Sequence, residues 1–304
     1  MNRTPGTGLG LLAATIVTIL WAGNFVAGKI AAYKIDPLLI ASIRIFSAAA
    51  LFPLFMRRDD RAALARPATW KEILPLGLAG IFANQFFFAA GIQLTTPSHS
   101  ALVHALIPVF VLLIGWIFLR EGAGPVRLLG VALAIAGSVY VAIATSQEER
   151  NRTLLGDALT FVGALSFAVY IVIGRRVLER MGSFRAVTAA FVVSVPFSVP
   201  FFVFAAIRQD WSAVGTQQWA ALAYMIVAAT FICYTLHMFA LSRIGPLRVA
   251  VFTNLQPILG TAIAQAFGED RITLPFAVAG AIVIAGVAIV QFSPASPSAR
   301  NGST

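Results

Sequence analysis

The 304-residue sequence predicts an all-α membrane protein of ten transmembrane helices, arranged as two inverted five-helix repeats around a central cavity. Three observations lead there. Hydrophobic residues make up 59% of the chain and charged residues only 11%, against about 25% charged in soluble domains, and the mean hydropathy is +0.86. The apolar residues fall into windows of the ~20 residues that a helix needs to cross the hydrocarbon core. The chain also matches itself at a nearly constant offset.

The windows run 8–32, 38–56, 72–94, 98–119, 126–145, 154–175, 185–207, 218–240, 247–267 and 273–291. The first follows MNRTPGTG, contains Asn24 and lacks a small-x-small cleavage site, so it stays as a membrane helix. The second carries Arg44. The connector to the third, RRDDRAALARPATW, is the longest and strongly charged, and no soluble domain is inserted anywhere. The fourth and ninth windows hold Pro108 and Pro257 in mid-span, where a proline removes a backbone hydrogen bond and bends the helix. The fifth and tenth carry Gly130, Gly137, Gly280 and Gly286 among alanines, a small-x-x-x-small pattern that predicts close packing of those two spans. The Ser- and Pro-rich tail, 292–304, is expected to be disordered and cytoplasmic.

A net charge of +10 could point to a nucleic-acid partner, but the basic residues lie in alternate connectors between apolar stretches. Fifteen Lys and Arg collect on one side and six on the other, which orients both termini to the cytoplasm of a multi-pass plasma membrane protein, a bacterial inner membrane being the natural setting. The partners expected are the lipid bilayer and a small-molecule substrate, with no nucleic acid, and a monomer is favoured. Cys233 is the single cysteine, so neither an intrachain disulfide nor a thiolate metal cluster can form, and neither a metal nor a cofactor is implied.

At an offset of 149 residues Trp70 meets Trp219, Pro97 meets Pro246, Pro108 meets Pro257 and Gly137 meets Gly286. Nearer the N-terminus the offset shrinks to 146, where Gly10 meets Gly156 and Trp21 meets Phe167. Matched Pro, Trp and Gly mark a duplicated unit, one copy over 1–145 and the other over 154–291. Five helices per copy is an odd number, so the second copy enters the membrane from the opposite side. Inverted repeats are a recurring plan of carriers with a solute site between the halves.

The segments LWAGNFVAGK at 20–29, SIRIFSAAALF at 42–52, IPVFVLLIGWIFLREG at 107–122, LLGVALAIAG at 128–137 and LQPILGTAIAQAFGED at 255–270 resemble EamA-type transporters of the drug/metabolite transporter superfamily. The resemblance covers essentially the whole chain. It implies ten helices in two inverted repeats around a central cavity, with spans five and ten mainly packing. It is strongest toward amino-acid and metabolite exporters, some of which export aromatic amino acids. One departure is that LREG in the first copy is answered by FGED in the second, so the two hinges need not be equivalent.

Polar and aromatic residues inside spans are costly in lipid and tend to face the bundle interior. The candidate lining is Trp21 and Asn24, then Asn84 and Phe88, His104, Tyr170, Tyr234 with His237, and Asn254, with Pro108 and Pro257 as hinges. Arg44 could clamp a substrate carboxylate, but a long basic side chain in a span more often snorkels or pairs toward the outer surface. All twelve acidic residues fall in connectors or within about one turn of a predicted helix end, which disfavours a buried-carboxylate proton antiporter. The expectation is a uniporter or exchanger of neutral or zwitterionic solutes, an amino-acid exporter foremost, and not an enzyme. A proton-coupled efflux antiporter and an intramembrane enzyme are the alternatives; no clustered His, Asp and Cys constellation supports the latter.

Overall fold

The computed structural model describes residues 7–56, 67–119, 124–144, 147–253, 255–269 and 272–292, and every regular element among them is helical. In chain order these are α1 (Thr7–Ala32), α2 (Pro37–Leu51), α3 (Pro67–Leu76), α4 (Asn84–Leu94), α5 (Pro97–His104), α6 (Ile107–Leu119) and α7 (Pro125–Ala144). They continue as α8 (Gln147–Met181), α9 (Ser183–Arg208), α10 (Thr216–Tyr224), α11 (Cys233–Thr253), α12 (Gln256–Ala266) and α13 (Leu274–Phe292). Two π-helical stretches, Gly77–Ala83 and Met225–Ile232, join α3 to α4 and α10 to α11. The tail at 292–304 lies almost wholly outside the described residues.

Seven of the described helices are long and apolar enough to cross a membrane: Gly8–Ala32, Pro37–Phe55, Ile73–Leu94, Pro97–Phe118, Thr153–Gly174, Phe184–Arg208 and Thr216–Ala240. Pro125–Gly137 and Leu274–Val290 are shorter apolar helices. Local chemistry sets several starts. The Asp36 carboxylate accepts the Leu38 N–H at 2.8 Å with Pro37 in the first turn, and the Thr96 hydroxyl accepts the His99 N–H at 3.3 Å ahead of Pro97. Such caps contribute about 1 kcal/mol each.

The structure adds three details to these windows. The mid-span bends at Pro108 and Pro257 are helix restarts: α5 ends at His104 and α6 begins at Ile107, while α12 begins at Gln256. Each proline therefore occupies a first turn, where its missing N–H has no intrahelical partner to lose. The boundary drawn between the eighth and ninth windows falls inside α11, which is helical on both sides of it but is not one straight rod. Its contacts show that the chain nevertheless turns back. Cys233 Sγ lies 3.8 Å from the Val17 carbonyl, a Cβ added to Gly10 would meet Ile244, and Thr18 Oγ1 donates to the Phe252 carbonyl at 3.3 Å. Partners descend α1 from Val17 to Gly10 and then climb to Thr18, so the reversal falls between Ile244 and Phe252. Finally, α8 begins at Gln147, ahead of the apolar window, because its Gln, Glu and Arg residues are good helix formers beyond the hydrocarbon core.

The main core gathers side chains from α1, α2, α4, α8, α9 and the 216–232 rod, with Phe52 and Phe191 its largest fully buried members. On the flank, α7 and α13 approach to backbone contact. A Cβ on Gly130 would sit 2.7 Å from the Gly286 carbonyl, and one on Gly137 would sit 2.9 Å from the Ala279 carbonyl. Small residues allow that approach and its dispersion gain. Gly280 does not belong to the seam, since a Cβ there meets nothing within 4 Å.

Candidate functional site

Residues at i, i+3, i+4 and i+7 share a helix face, and on α1 these are Trp21, Asn24, Phe25 and Gly28. Trp21 donates its indole N–H to the Ala229 carbonyl at 2.9 Å, inside the second π-helical stretch. Its ring meets Phe167 of α8 edge-on at 6.4 Å, Tyr234 of α11 at 6.0 Å and His237 at 5.0 Å. Tyr170 stacks on Phe167 at 5.6 Å, and Phe191 of α9 meets Tyr234 at 5.2 Å. One turn along α1, Phe25 contacts Phe88 at 5.9 Å and His104 at 5.2 Å, and those two lie 5.5 Å apart. A Cβ on Gly28 would rest 3.4 Å from the Phe88 ring, in ordinary van der Waals contact, so Phe88 packs directly on this face of α1.

Within this wall of rings several buried polar atoms have no partner among the described residues: Asn24 Oδ1, Tyr170 OH and His237 Nδ1. Each forgoes about 1–3 kcal/mol while unpaired. His104 is different, its Nδ1 lying 2.9 Å from the Ser100 carbonyl one turn back. The Tyr170 ring covers Gly80 so closely that a Cβ there would overlap it.

Arg44 does not snorkel. It is only 3% exposed, and its Nε and Nη2 both donate to Thr230 Oγ1, at 3.1 and 3.0 Å. The Thr230 hydroxyl in turn donates to the Met225 carbonyl at 2.8 Å, a five-residue step natural to a π-helix. The guanidinium carbon lies 5.9 Å from the Phe88 ring centre. An inward course wins because Thr230 and the Phe88 face offer partners that lipid cannot.

A second polar layer closes the bundle at the end where α1 stops. Lys29 Nζ donates to the Gln93 and Thr95 carbonyls at 3.1 and 2.6 Å, the Tyr33 hydroxyl donates to Glu269, and the Asp36 N–H donates to Gln209 Oε1 at 2.9 Å. Beneath them His99 Nδ1 lies 3.0 Å from Asp157 Oδ2, while Thr95 Oγ1 donates to Asp157 Oδ1. Asp157 is 9% exposed and ten residues into α8, which corrects the expectation that every acid sits near a helix end. A surface cavity of about 310 Å³, lined by Tyr33, Lys34, Asp36, Gln93 and Gln209, opens on this face, apart from the rings.

The structure thus places Trp21, Tyr170, Tyr234 and His237 in one ring group and Phe88 and His104 in a second, one turn along the same α1 face, which also carries Asn24. Asn84 is turned elsewhere, its amide donating to the Gly163 carbonyl of α8 at 3.0 Å. Asn254 lies outside the described residues. Sequence reasoning missed Phe25, Phe191 and Thr230; the four-residue step from Trp21 to Phe25 was the available signal for the first. Nothing local marked the others, since Phe191 is one of 24 phenylalanines and Thr230 one more hydroxyl in an apolar span.

Residues 8–143 and 154–292 each match the EamA-like transporter family. The chain is 28% identical over 282 residues to an uncharacterised transporter of Archaeoglobus fulgidus, covering 91% of this chain and 94% of that one. It is 28% identical over 286 residues to a "Probable amino-acid metabolite efflux pump" of Escherichia coli, covering 90% of each, and 27% identical over 302 residues to its namesake in Salmonella typhimurium, covering 96% of each. A solved structure titled only as a crystal structure of a protein superposes with a TM-score of 0.62 at 19% identity, covering 95% of this chain and 96% of that one, which shows a shared fold. With family matches over both halves and apolar helices suited to a bilayer, the chain belongs to the EamA-like transporter family and is a multi-pass membrane transporter of small molecules.

Proposed function

We propose that this transporter is a carrier that exports small neutral or zwitterionic metabolites, aromatic amino acids foremost, by alternating access between two inverted five-helix repeats. The observation that carries this is the Trp21 site. Its rings come from both halves of the chain, Trp21 from the first and Phe167, Tyr234 and His237 from the second, so movement of one half against the other remakes the site. Stacking surfaces and unpaired amide, phenol and imidazole groups suit a solute with a ring and polar ends. Two relatives named as amino-acid metabolite efflux pumps support the class and the direction.

The inverted duplication has structural support. The π-helical stretches Gly77–Ala83 and Met225–Ile232 lie at repeat-related positions, as do the restarts at Ile107 and Gln256. Packing follows the same exchange: α2 lies on α9, α7 on α13, and α1 on α11 as α8 lies on α4. Ten spans with both termini inside would make the face at the end of α1 external, and its tethers would hold the outer mouth shut. Saturable counterflow of phenylalanine in proteoliposomes tests the carrier. Flux that rises linearly with concentration, without counterflow, would indicate a channel and sink it.

The His99–Asp157 pair favours a second reading, proton-coupled export. A buried carboxylate bonded to an imidazole across α5 and α8, inside two membrane-crossing helices and at a contact between the halves, is the kind of intramembrane group that marks an ion pathway. Uniport expects phenylalanine counterflow to be unchanged by a pH gradient and by Asp157→Asn in protein that still folds. Gradient-driven uptake that Asp157→Asn abolishes would decide for coupling.

A further inference from the structure

We infer that Arg44 is the carboxylate-binding residue of the transport site, so that the cargo is a carboxylate-bearing zwitterion and not the corresponding amine. The assignment rests on the ring-lined region being the transport site. Arg44 stands at the junction of its two ring groups. It faces Phe88, which belongs to the Phe25 and His104 group, and it bonds Thr230, which lies one residue after the Ala229 carbonyl that anchors Trp21 and one turn before Tyr234.

Its electrostatic situation is unusual. The guanidinium is 97% buried in a membrane-spanning helix, yet its hydrogen-bond partner is a neutral hydroxyl, and among the described residues no carboxylate pairs with it. The buried Asp157 is engaged by His99 and Thr95. Thr230 takes two of the five N–H donors that a guanidinium offers, both on one oxygen, and leaves a planar fork that matches a carboxylate. A buried unpaired cation is strongly unfavourable unless something supplies the counter-charge, and ionisable groups inside a membrane face the bundle interior, where they mark substrate or ion pathways. A cargo carboxylate would complete the pair. The cargo's ammonium would find an acceptor in Asn24 Oδ1, which is buried and unpaired on the α1 face that carries Trp21 and Phe25.

The test uses the purified full chain in proteoliposomes with three probes of equal ring size: L-phenylalanine, L-phenylalaninamide and phenethylamine. Wild-type protein should show counterflow of phenylalanine that neither the amide nor the amine inhibits. Arg44→Gln should raise the KM for phenylalanine roughly 10- to 100-fold, and Arg44→Lys, which keeps the charge but not the fork, should raise it less, with maximal flux retained in both. Thermal unfolding in detergent supplies a second readout, in which phenylalanine stabilises wild-type protein and phenethylamine does not. Because the wild-type comparison needs no variant, it decides the matter even where Arg44→Gln fails to fold. Wild-type vesicles that move none of the probes overturn the functional reading together with this assignment. Vesicles that carry phenylalanine and phenethylamine alike, or an Arg44→Gln protein with an unchanged KM, overturn the assignment of Arg44 alone.

Discussion

The indole N–H of Trp21 reaches the Ala229 carbonyl across 2.9 Å, so a ring from the first half of the chain is held by backbone of the second. The bond and the ring contacts can be separated. Trp21→Phe keeps an aromatic face and loses the donor, which costs about 1 kcal/mol of stability and should leave flux within a fewfold of wild type. Trp21→Ala also removes the surface shared by Phe167, Tyr234 and His237, and should abolish phenylalanine counterflow in protein that still inserts and folds. Equal flux from Trp21→Ala and wild type would remove α1 from the site.

A pair of glycines on α13 tests how close its seam with α7 is. A Cβ on Gly286 would stand 2.5 Å from the Ala134 nitrogen and 2.6 Å from the Gly130 carbonyl oxygen, both backbone atoms that cannot swing aside. Gly286→Ala should therefore force the helices apart and destabilise by about 1–3 kcal/mol. Gly280→Ala meets nothing within 4 Å and should be neutral or slightly stabilising, since alanine is the better helix former. Thermal unfolding of the two variants side by side decides it, and equal melting temperatures would contradict the seam.

What could be read from the sequence follows how locally each feature is encoded. Hydropathy is a sum over neighbours, so the seven membrane-length apolar helices were legible. The ring-bearing residues were legible too, because Trp21, Tyr170, Tyr234 and His237 are conspicuous inside apolar spans. Direction was not. Arg44 has a stem long enough to reach either the interface or the interior, and only the placement of Thr230 and Phe88 settles which. Asn84 could have faced a cavity or the backbone of a neighbour, and it bonds Gly163. Asp157 read as terminal because the apolar window starts at 154, whereas the polar residues before it extend the helix and place the carboxylate beside His99.

The tether between Tyr33 and Glu269 has a pH limit that can be worked out. Partial burial, then the hydrogen bond to Glu269 and the charge of its carboxylate, push the Tyr33 phenol up to about 12 from an ordinary value near 10. The folded state then holds the proton more tightly than the unfolded chain does. Its contribution is complete below about pH 10 and disappears as the pH climbs through about 12. Tyr33→Phe should lower the melting temperature by a constant amount from pH 7 to 10, and the gap should close above that range. A gap unchanged at pH 12 would mean that Glu269 is not the partner that matters.

Pro108 and Pro257 stand at equivalent restarts, and their effect on movement should exceed their effect on binding. At Pro108 the missing N–H keeps the backbone from continuing the α5 ladder into α6, so the two pieces meet at a joint around Ala105 and Leu106. Pro108→Ala restores a donor within reach of the His104 carbonyl, and the pieces can then fuse into one rigid rod. A fused rod should be as stable as wild type or more so, and slower to change shape. Maximal phenylalanine flux is expected to fall several-fold while the half-saturating concentration stays put, because the Trp21 rings are untouched. Pro257→Ala should act in the same sense at the start of α12, and the double variant should be slower than either. Unchanged flux in the double variant, with both single variants folded, would reduce the two prolines to packing residues and leave the moving parts elsewhere.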